Sequence, residues 1–190
     1  MSGREDQQAR EAAGTELQAL RRQDAGAFGR LVERHQALVL GLCQSLGLRG
    51  ADSDDAAAEA FAAVYRALPG FDGRAELATW IYRIAWRTII KVRQRLRRSV
   101  AAELSEDRAD AGQPPPESAA EQKETNERIW QAVAALDERQ AAAVEMHYRR
   151  GWPIEQIAEV LECPTGTVKT LLFRARERLR AVLSREEIVP

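Results

Sequence analysis

Hydroxyl side chains and positive charges gather at the start of one predicted helix near the end of the chain. The run 163–170 reads CPTGTVKT and is followed by LLFRARERLR. Pro164 disfavours a helical conformation for the residue before it, so one helix ends and another begins here. Such side chains at a helix start suit phosphates and base edges, as in a helix-turn-helix. The candidate DNA contacts are Thr165, Thr167, Lys169, Thr170, Phe173 and Arg174.

The periodicity on both sides of this turn supports a helix-turn-helix. The first helix ends at Leu161, and Thr165 is predicted to cap the second through its hydroxyl. One apolar stripe then follows the second helix, formed by Val168, Leu172, Ala175, Leu179 and Val182. An ordinary amphipathic helix with a solvated charged face has the same stripe. The Gly-Thr opening and the preceding helix favour DNA binding.

A second basic cluster lies on a long predicted helix from about Glu76 to Arg98. Its inward stripe is predicted to be Leu77, Trp80, Ile81, Ile84, Ala85 and Thr88. Tyr82 and Trp86 fall off that stripe, beside arginines. Aromatic and basic side chains together suit unpaired bases and their backbone, although an exposed protein interface has the same composition. The candidate contacts are Arg74, Tyr82, Arg83, Trp86, Arg87 and Lys91.

The elements that position these clusters are all helices, because no stretch alternates with the period of a strand. We expect an all-α fold, in which two small helical domains are joined by a flexible linker. The predicted units are a disordered N-terminus (1–14), a first domain (15–98), an acidic proline-rich linker (99–117) and a helix-turn-helix domain (118–185). Fully extended, the linker spans roughly 60 Å, so the domains can contact separate sites on one duplex.

Side chains at the predicted helix starts set the boundaries. Asp24 is expected to cap the second helix, Ser53 or Asp52 the third, and Asp137 the helix before the helix-turn-helix pair. Pro69 and the following glycine end the third helix.

Composition excludes several classes of protein. The chain of 190 residues has a net charge of −1, and its basic clusters flank an acidic tract at 101–127. Cys43 and Cys163 have no companions at metal-ligand spacing, so neither metal nor cofactor is expected. No sequence motif of an enzyme active site is present, which predicts no catalytic residue and no small-molecule substrate. The polar N-terminus and the lack of a membrane-spanning run predict a cytoplasmic protein.

Two longer motifs carry a family resemblance. They are EAFAAVYRALPGFDGRAELATWIYRIA in the first domain and DERQAAAVEMHYRRGWPIEQIAEVLECPTGTVKTLLFRARERLR in the second. Their order and spacing resemble the extracytoplasmic-function (ECF) sigma factors of the sigma-70 family. The resemblance covers about 24–98, like sigma region 2, and 126–183, like sigma region 4.

The resemblance implies a role in promoter recognition. The first domain would dock on the β′ clamp helices of core RNA polymerase through Asp55, Ala58, Glu59 and Phe61, and would open the −10 element of promoter DNA. The second domain would read the −35 element and meet the β flap. The acidic linker would enter the polymerase, and an anti-sigma factor would hold the protein inactive. Members usually carry Gln at Ala58 and Asn at Arg87, and often Arg at Leu171.

Two other functions fit parts of the sequence. A stand-alone helix-turn-helix regulator would bind DNA without joining polymerase, and co-purification with β′ separates that function from a sigma factor. A sigma-like decoy would bind an anti-sigma factor without reading DNA. The residues at Ala58 and Arg87, which differ from those usual in the family, are compatible with the decoy function. The basic recognition helix argues against it.

Overall fold

Helices form the whole secondary structure of the part of the chain that the computed structural model describes, residues 14–103 and 120–184. Side chains are described for 14–99 and 127–184. The helices are α1 (14–21), α2 (Ala25–Ser45), α3 (Gly50–Ala67), α4 (Leu77–Glu103), α5 (Ala120–Ala134), α6 (Glu138–Val144), α7 (Ile154–Leu161) and α8 (Thr165–Leu183). A 3-10 turn (Leu68–Gly70) follows α3, and a π-helical turn (Glu145–Arg149) follows α6. The predicted all-α class is confirmed.

Two of the four predicted N-caps, Asp24 and Asp137, are confirmed. The Asp24 carboxylate accepts a hydrogen bond from the backbone N–H of Ala27 at 2.8 Å, at the start of α2. Asp137 does the same for the N–H of Arg139 at 3.1 Å, at the start of α6. The predicted cap of α3 at Ser53 or Asp52 is wrong, because α3 already begins at Gly50 with Arg49 as its N-cap. Asp52 instead lies in its first turn, where a negative charge favours the helix dipole.

The first half of the molecule, α1 to α4, is a helical bundle with an aliphatic centre. Leu31 and Leu42 of α2, Val64 of α3 and Ile81 and Ile89 of α4 are almost completely buried. The loop after α1 is tied to α3 from both sides: Gln23 donates to the carbonyl of Tyr65 at 3.0 Å, and the Tyr65 hydroxyl donates to the Gln23 carbonyl.

The second half, α5 to α8, contains the helix-turn-helix. Ile157 and Leu161 of α7 pack with Val168 and Leu172 of α8 in the buried core. The turn begins at Glu162, whose φ of 49° is left-handed. Arg139 of α6 donates to the Leu161 carbonyl at 2.7 Å and so holds the end of α7 in place. The predicted C-terminal helix-turn-helix is therefore present.

The predicted end of the first domain at Arg98 lies inside a helix. α4 runs on to Glu103, since 99–103 reads SVAAE and contains no residue that breaks a helix. The prolines of the predicted linker lie outside the described residues, as do residues 1–13 of the predicted disordered terminus. Gly14 belongs to α1.

The two halves also pack against each other. α7 lies against α4, and α5, α6 and the π-helical turn lie against α2. The buried residues of both halves form one continuous hydrophobic core. The sequence did not predict this contact, because it depends on side chains far apart in the chain.

Candidate nucleic-acid interface

The start of α8 presents the predicted recognition residues to solvent. Thr165, Lys169, Thr170 and Arg174 are exposed, Phe173 keeps 58% of its surface accessible, and Thr167 is half-buried. Positions 169 and 170 are followed four residues later by 173 and 174, so the two pairs share one face of the helix. An exposed basic face of this kind, with one aromatic ring, suits the base edges and the phosphates of a DNA groove.

The predicted cap of α8 is wrong in detail. Thr165 is the first helical residue, and Pro164 is the N-cap. The Pro164 carbonyl accepts from the N–H groups of Thr167 at 2.9 Å and Val168 at 3.3 Å. Pro164 is extended, with ψ of 148°, and this conformation turns its carbonyl toward the new helix. The Pro164 carbonyl therefore accepts from the N–H groups that the Thr165 hydroxyl was predicted to cap.

The opposite side of α8 holds the helix on the domain. Val168, Leu172 and Ala175 are buried and Leu179 is half-buried, as the periodicity predicts. At the end of the stripe, however, Leu183 is buried and Val182 is exposed. An α-helix has 3.6 residues per turn, whereas the predicted stripe repeats every 3.5 residues on average. The stripe therefore drifts around the helix axis, and the last buried position is 183 instead of 182.

On α4, Arg83, Arg87 and Lys91 follow one another at four-residue spacing and form a basic row. Arg83 is half-buried, whereas Arg87 and Lys91 are exposed. Arg87 forms an ion pair with both carboxylate oxygens of Glu162 in the turn before α8. Hydrogen bonding to Arg87 lowers the pKa of Glu162, so the pair is ionised near neutral pH.

The two aromatic candidates on α4 are buried, contrary to the expectation that they lie off the buried stripe. Tyr82 has no exposed surface and Trp86 has 9%. The Tyr82 hydroxyl donates to the Glu145 carboxylate, and its ring centroid lies 5.0 Å from that of Trp152. Both partners belong to the second half of the molecule, so the periodicity of α4 alone could not reveal this burial. Of the predicted inward positions, Leu77, Trp80, Ile84 and Thr88 are only half-buried.

Arg74 lies in the loop that precedes α4, with 91% of its side chain exposed. Its guanidinium is 3.3 Å from the Asp72 carboxylate, and the Asp72 side chain also accepts from the Arg74 backbone N–H. A surface pair of this kind contributes little to stability, so the arginine remains available to a ligand.

The predicted docking face on α3 is mostly exposed. Asp55, Ala58 and Glu59 reach solvent, and the Glu59 carboxylate lies 2.6 Å from Arg95 of α4. Phe61 is different, since only 8% of its surface is accessible and it packs in the core. Its side chain thus supports the helix that carries the acidic face.

Within 14–103 and 120–184, no group of three or more His, Cys, Asp or Glu side chains is placed to hold a metal ion. In the same part of the chain, no helix combines the length and the hydropathy needed to cross a membrane.

Both halves match known protein families. Residues 31–109 match sigma-70 region 2, and residues 126–179 match sigma-70 region 4. The chain is 34% identical over 176 residues to the RNA polymerase sigma-H factor of Pseudomonas aeruginosa, covering 88% of this chain and 91% of that protein. The chain belongs to the ECF group of the sigma-70 family. This sigma factor therefore acts with core RNA polymerase on promoter DNA.

Further relatives agree with this assignment. The sigma factor is 31% identical over 172 residues to the ECF RNA polymerase sigma-E factor of Escherichia coli K12, covering 86% of this chain and 90% of that one. CnrH, solved with the cytosolic domain of CnrY, has the same fold, with a TM-score of 0.67 at 23% identity over 90% of this chain and 96% of that one. RpoE of Bartonella quintana, solved with the anti-sigma factor NepR, also scores 0.67 at 18% identity, over 83% and 96% of the two chains.

The sequence did not single out the residues of the second half that contact α4 and α2. They are Glu138, Glu145, Arg149, Arg150, Trp152, Gln156 and Glu162. The sequence of the sigma factor contains one sign of this buried contact, because Glu145 interrupts the apolar run AAAVEM at 141–146. A carboxylate within a buried helical pattern requires a partner.

Proposed function

We propose that this sigma factor recognises its promoters at two points and docks on core polymerase through a third surface. The exposed face of α8, with Lys169, Thr170, Phe173 and Arg174, is the observation that carries the proposal. It follows a helix-turn-helix whose turn is held from α6, so its side chains are presented on a rigid element. This face reads the −35 element in the major groove.

The −10 element is recognised from α4 and the loop before it. Arg74, Arg83, Arg87 and Lys91 supply positive charge, whereas Tyr82 and Trp86 are buried and must be uncovered before unpaired bases can stack on them. Loop and helix together bind the strand that separates when the promoter opens. Arg87 occupies a position where relatives usually have Asn, so the −10 preference of this sigma factor differs from theirs.

Core polymerase is engaged through α3. Asp55, Ala58 and Glu59 form an exposed surface with two carboxylates, which suits basic side chains on the β′ clamp helices. The second half contacts the β flap. The protein works in the cytoplasm, contributes binding rather than catalysis of its own, and is held inactive by an anti-sigma factor.

Run-off transcription tests the function directly. Purified sigma factor is added to core enzyme with DNA fragments taken from the chromosome of its own host, and transcripts are mapped. We expect initiation at a defined set of start sites only when the sigma factor is present. Equal initiation with and without the protein contradicts the proposal, as does a failure to co-purify with β′.

Arg174 tests the −35 contact in the same assay. If Arg174 hydrogen-bonds a base, Arg174→Ala costs about 1–3 kcal/mol of promoter binding and relaxes the preference at one position. Arg176→Ala is the matched control, since Arg176 is also exposed but lies on another side of α8. Uniform weakening on all sequences by Arg174→Ala assigns Arg174 to a phosphate instead.

A further inference from the structure

The loop before α4 is attached to the rest of the protein from two sides. We call residues 71–76 the −10 loop, because they include Arg74, which the proposed function assigns to the −10 element. Phe71 is only 4% exposed, and its ring centroid lies 4.8 Å from that of Trp80 on α4. The backbone carbonyl of Phe71 accepts a hydrogen bond from Nε of Arg21 on α1 at 2.7 Å. The −10 loop is therefore held to α4 by a ring and to α1 by its backbone.

A second contact joins α1 to the same loop. Gly73, in the middle of the −10 loop, has a left-handed φ of 80°. A Cβ atom at this position would lie 3.5 Å from Cδ2 of Leu17 on α1, an ordinary contact distance. Leu17 and Arg21 are four residues apart, so they lie one above the other on the same face of the helix. That face of α1 is turned toward the −10 loop.

α1 is itself fixed on the helical bundle. Leu20 is 1% exposed and belongs to the hydrophobic core. Just after α1, Gln23 and Tyr65 of α3 are joined by two hydrogen bonds. Arg21 lies between these two attachments, so its backbone has little freedom to move away from the loop.

The tip of the −10 loop, in contrast, is exposed. Asp72 accepts a hydrogen bond from the backbone N–H of Arg74 at 3.0 Å, and this bond shapes the tip without reaching beyond it. The attachment at Phe71, three residues earlier, therefore sets where Arg74 lies. Three residues span up to about 10 Å, so a rotation of about 20° at Phe71 moves the Arg74 backbone by up to about 3 Å. Binding sites need their side chains placed to within about 0.5 Å.

We propose that α1 positions the −10 loop for base recognition and that Arg21 is the positioning residue. The inference rests on the proposed function, in which this loop and α4 bind the −10 strand. Arg21 acts through the Phe71 carbonyl and not through the DNA. Because the loop is already held in its binding conformation, little ordering free energy is lost when the base is bound.

Substitutions of Arg21 separate its hydrogen bond from its charge. Arg21→Gln places an amide nitrogen the same number of bonds from the backbone as Nε, so it can still donate to the Phe71 carbonyl. Arg21→Met has a similar length and no donor. The three side chains have similar helix propensities, so α1 is preserved. Arg22→Ala controls for the loss of positive charge, since Arg22 is also exposed and lies just after α1.

Hydrogen exchange of the free chain measures the loop directly. We expect the backbone amides of 71–76 to exchange about tenfold faster in Arg21→Met, because one hydrogen bond to the loop is lost. They should exchange at nearly the wild-type rate in Arg21→Gln and Arg22→Ala. The amides of α2 and α8 should exchange alike in all four proteins, which shows that the change is local. Wild-type exchange of 71–76 in Arg21→Met overturns the proposal.

Run-off transcription with core enzyme measures the consequence for promoter recognition. The templates are a promoter that the wild type uses and two derivatives of it, one with a base changed in the −10 element and one with a base changed in the −35 element. A loop that keeps its binding conformation about one-tenth of the time binds about tenfold more weakly. Initiation by Arg21→Met on the intact promoter should therefore fall about tenfold.

The ratios between templates separate positioning from a general loss of folded protein. The −10-altered template already lacks the base contact, so Arg21→Met should lose less initiation on it, and the ratio of intact to −10-altered initiation should narrow. The ratio of intact to −35-altered initiation should stay at its wild-type value. A general loss of folded protein lowers initiation on all three templates equally and leaves both ratios unchanged, which contradicts a positioning role.

The comparison of Arg21→Gln with Arg21→Met decides how Arg21 acts. Arg21→Gln should retain most of the wild-type initiation and both wild-type ratios. If Arg21 binds a DNA phosphate instead, the two variants lose initiation equally on every template, and the positioning role is overturned. If the wild-type chain directs no initiation on any template, the proposed function is wrong. The hydrogen exchange of 71–76 decides in either case whether Arg21 holds the loop.

Discussion

Glu145 is the residue whose surroundings depend most on the joined halves. It lies in the π-helical turn after α6 with no exposed surface, and its carboxylate is shared between Tyr82 of α4 and Arg150. Burial raises the pKa of Glu145 above its ordinary value, and the hydrogen bond from Tyr82 and the charge of Arg150 offset part of that rise. Ionised Glu145 therefore lowers the stability of the folded chain.

The raised pKa predicts a pH-dependent stability difference. Below the ordinary glutamate pKa of about 4.3 the group is protonated in both the folded and unfolded chains, and the cost is absent. The stability of the wild type relative to Glu145→Gln should fall as pH rises through the folded pKa, by about 1.4 kcal/mol for each unit of elevation. Urea unfolding from pH 4.5 to 7.5 measures this difference.

The control for Glu145 is Glu155→Gln, at an exposed position in the first turn of α7. The difference in the free energy of unfolding between Glu155→Gln and the wild type should change much less over the same pH range. If the difference in the free energy of unfolding between the wild type and Glu145→Gln is independent of pH, burial does not destabilise the ionised carboxylate.

Among the helices, α2 shows most directly how one neighbouring side chain sets the residue at which a helix begins. The first turn of α2 contains no acidic residue, so Asp24 supplies both the capping hydrogen bond and the negative charge at that end. The helix carries Gly41 and Gln44, which contact the second half. Its start therefore fixes where those contacts fall.

Asp24→Ala should lower the free energy of unfolding by about 1 kcal/mol, because the N–H of Ala27 loses its acceptor. Asp24→Asn keeps an acceptor oxygen and should lose less than half as much. Urea denaturation of both variants measures the two losses. Equal losses would mean that the charge of Asp24, rather than its hydrogen bond, stabilises α2.

At the scale of the whole molecule, ion pairs at the surface contribute to the contact between the two halves. Two ion pairs between the halves are partly solvated: Arg87 with Glu162, and Arg97 with Glu138. Salt screens such pairs, since the Debye length falls from about 10 Å at 0.1 M to about 3 Å at 1 M. Their contribution to the contact between the halves should therefore decrease as salt is added.

We expect the radius of gyration of the free chain to rise between 0.05 and 0.5 M sodium chloride. Exposed pairs contribute about 0.2–1 kcal/mol each, so the equilibrium between joined and separated halves should shift severalfold. Small-angle scattering measures the change, and Arg87→Gln is the comparison, because its radius should respond less to salt once the pair with Glu162 is removed. A wild-type radius of gyration that is constant across this range would contradict an electrostatic contribution to the contact between the halves.

The sequence by itself determined the helices, the cap at Asp24 and the exposed face of α8. Each of these depends on neighbours within a few positions, through periodicity or a capping hydrogen bond. The family resemblance depended in the same way on contiguous motifs, and the matches to regions 2 and 4 confirm it.

Only the tertiary structure decided the burial of Tyr82 and Trp86 and the pairing of Arg87. Tyr82 and Glu145 are 63 positions apart, and Arg87 and Glu162 are 75 apart. Within α4 alone, Tyr82 lies off the aliphatic stripe and looks exposed, because the stripe reports only the face packed on α2 and α3. Its burial requires a second surface whose shape and charge are set by α7 and the π-helical turn, and no local pattern contains that information.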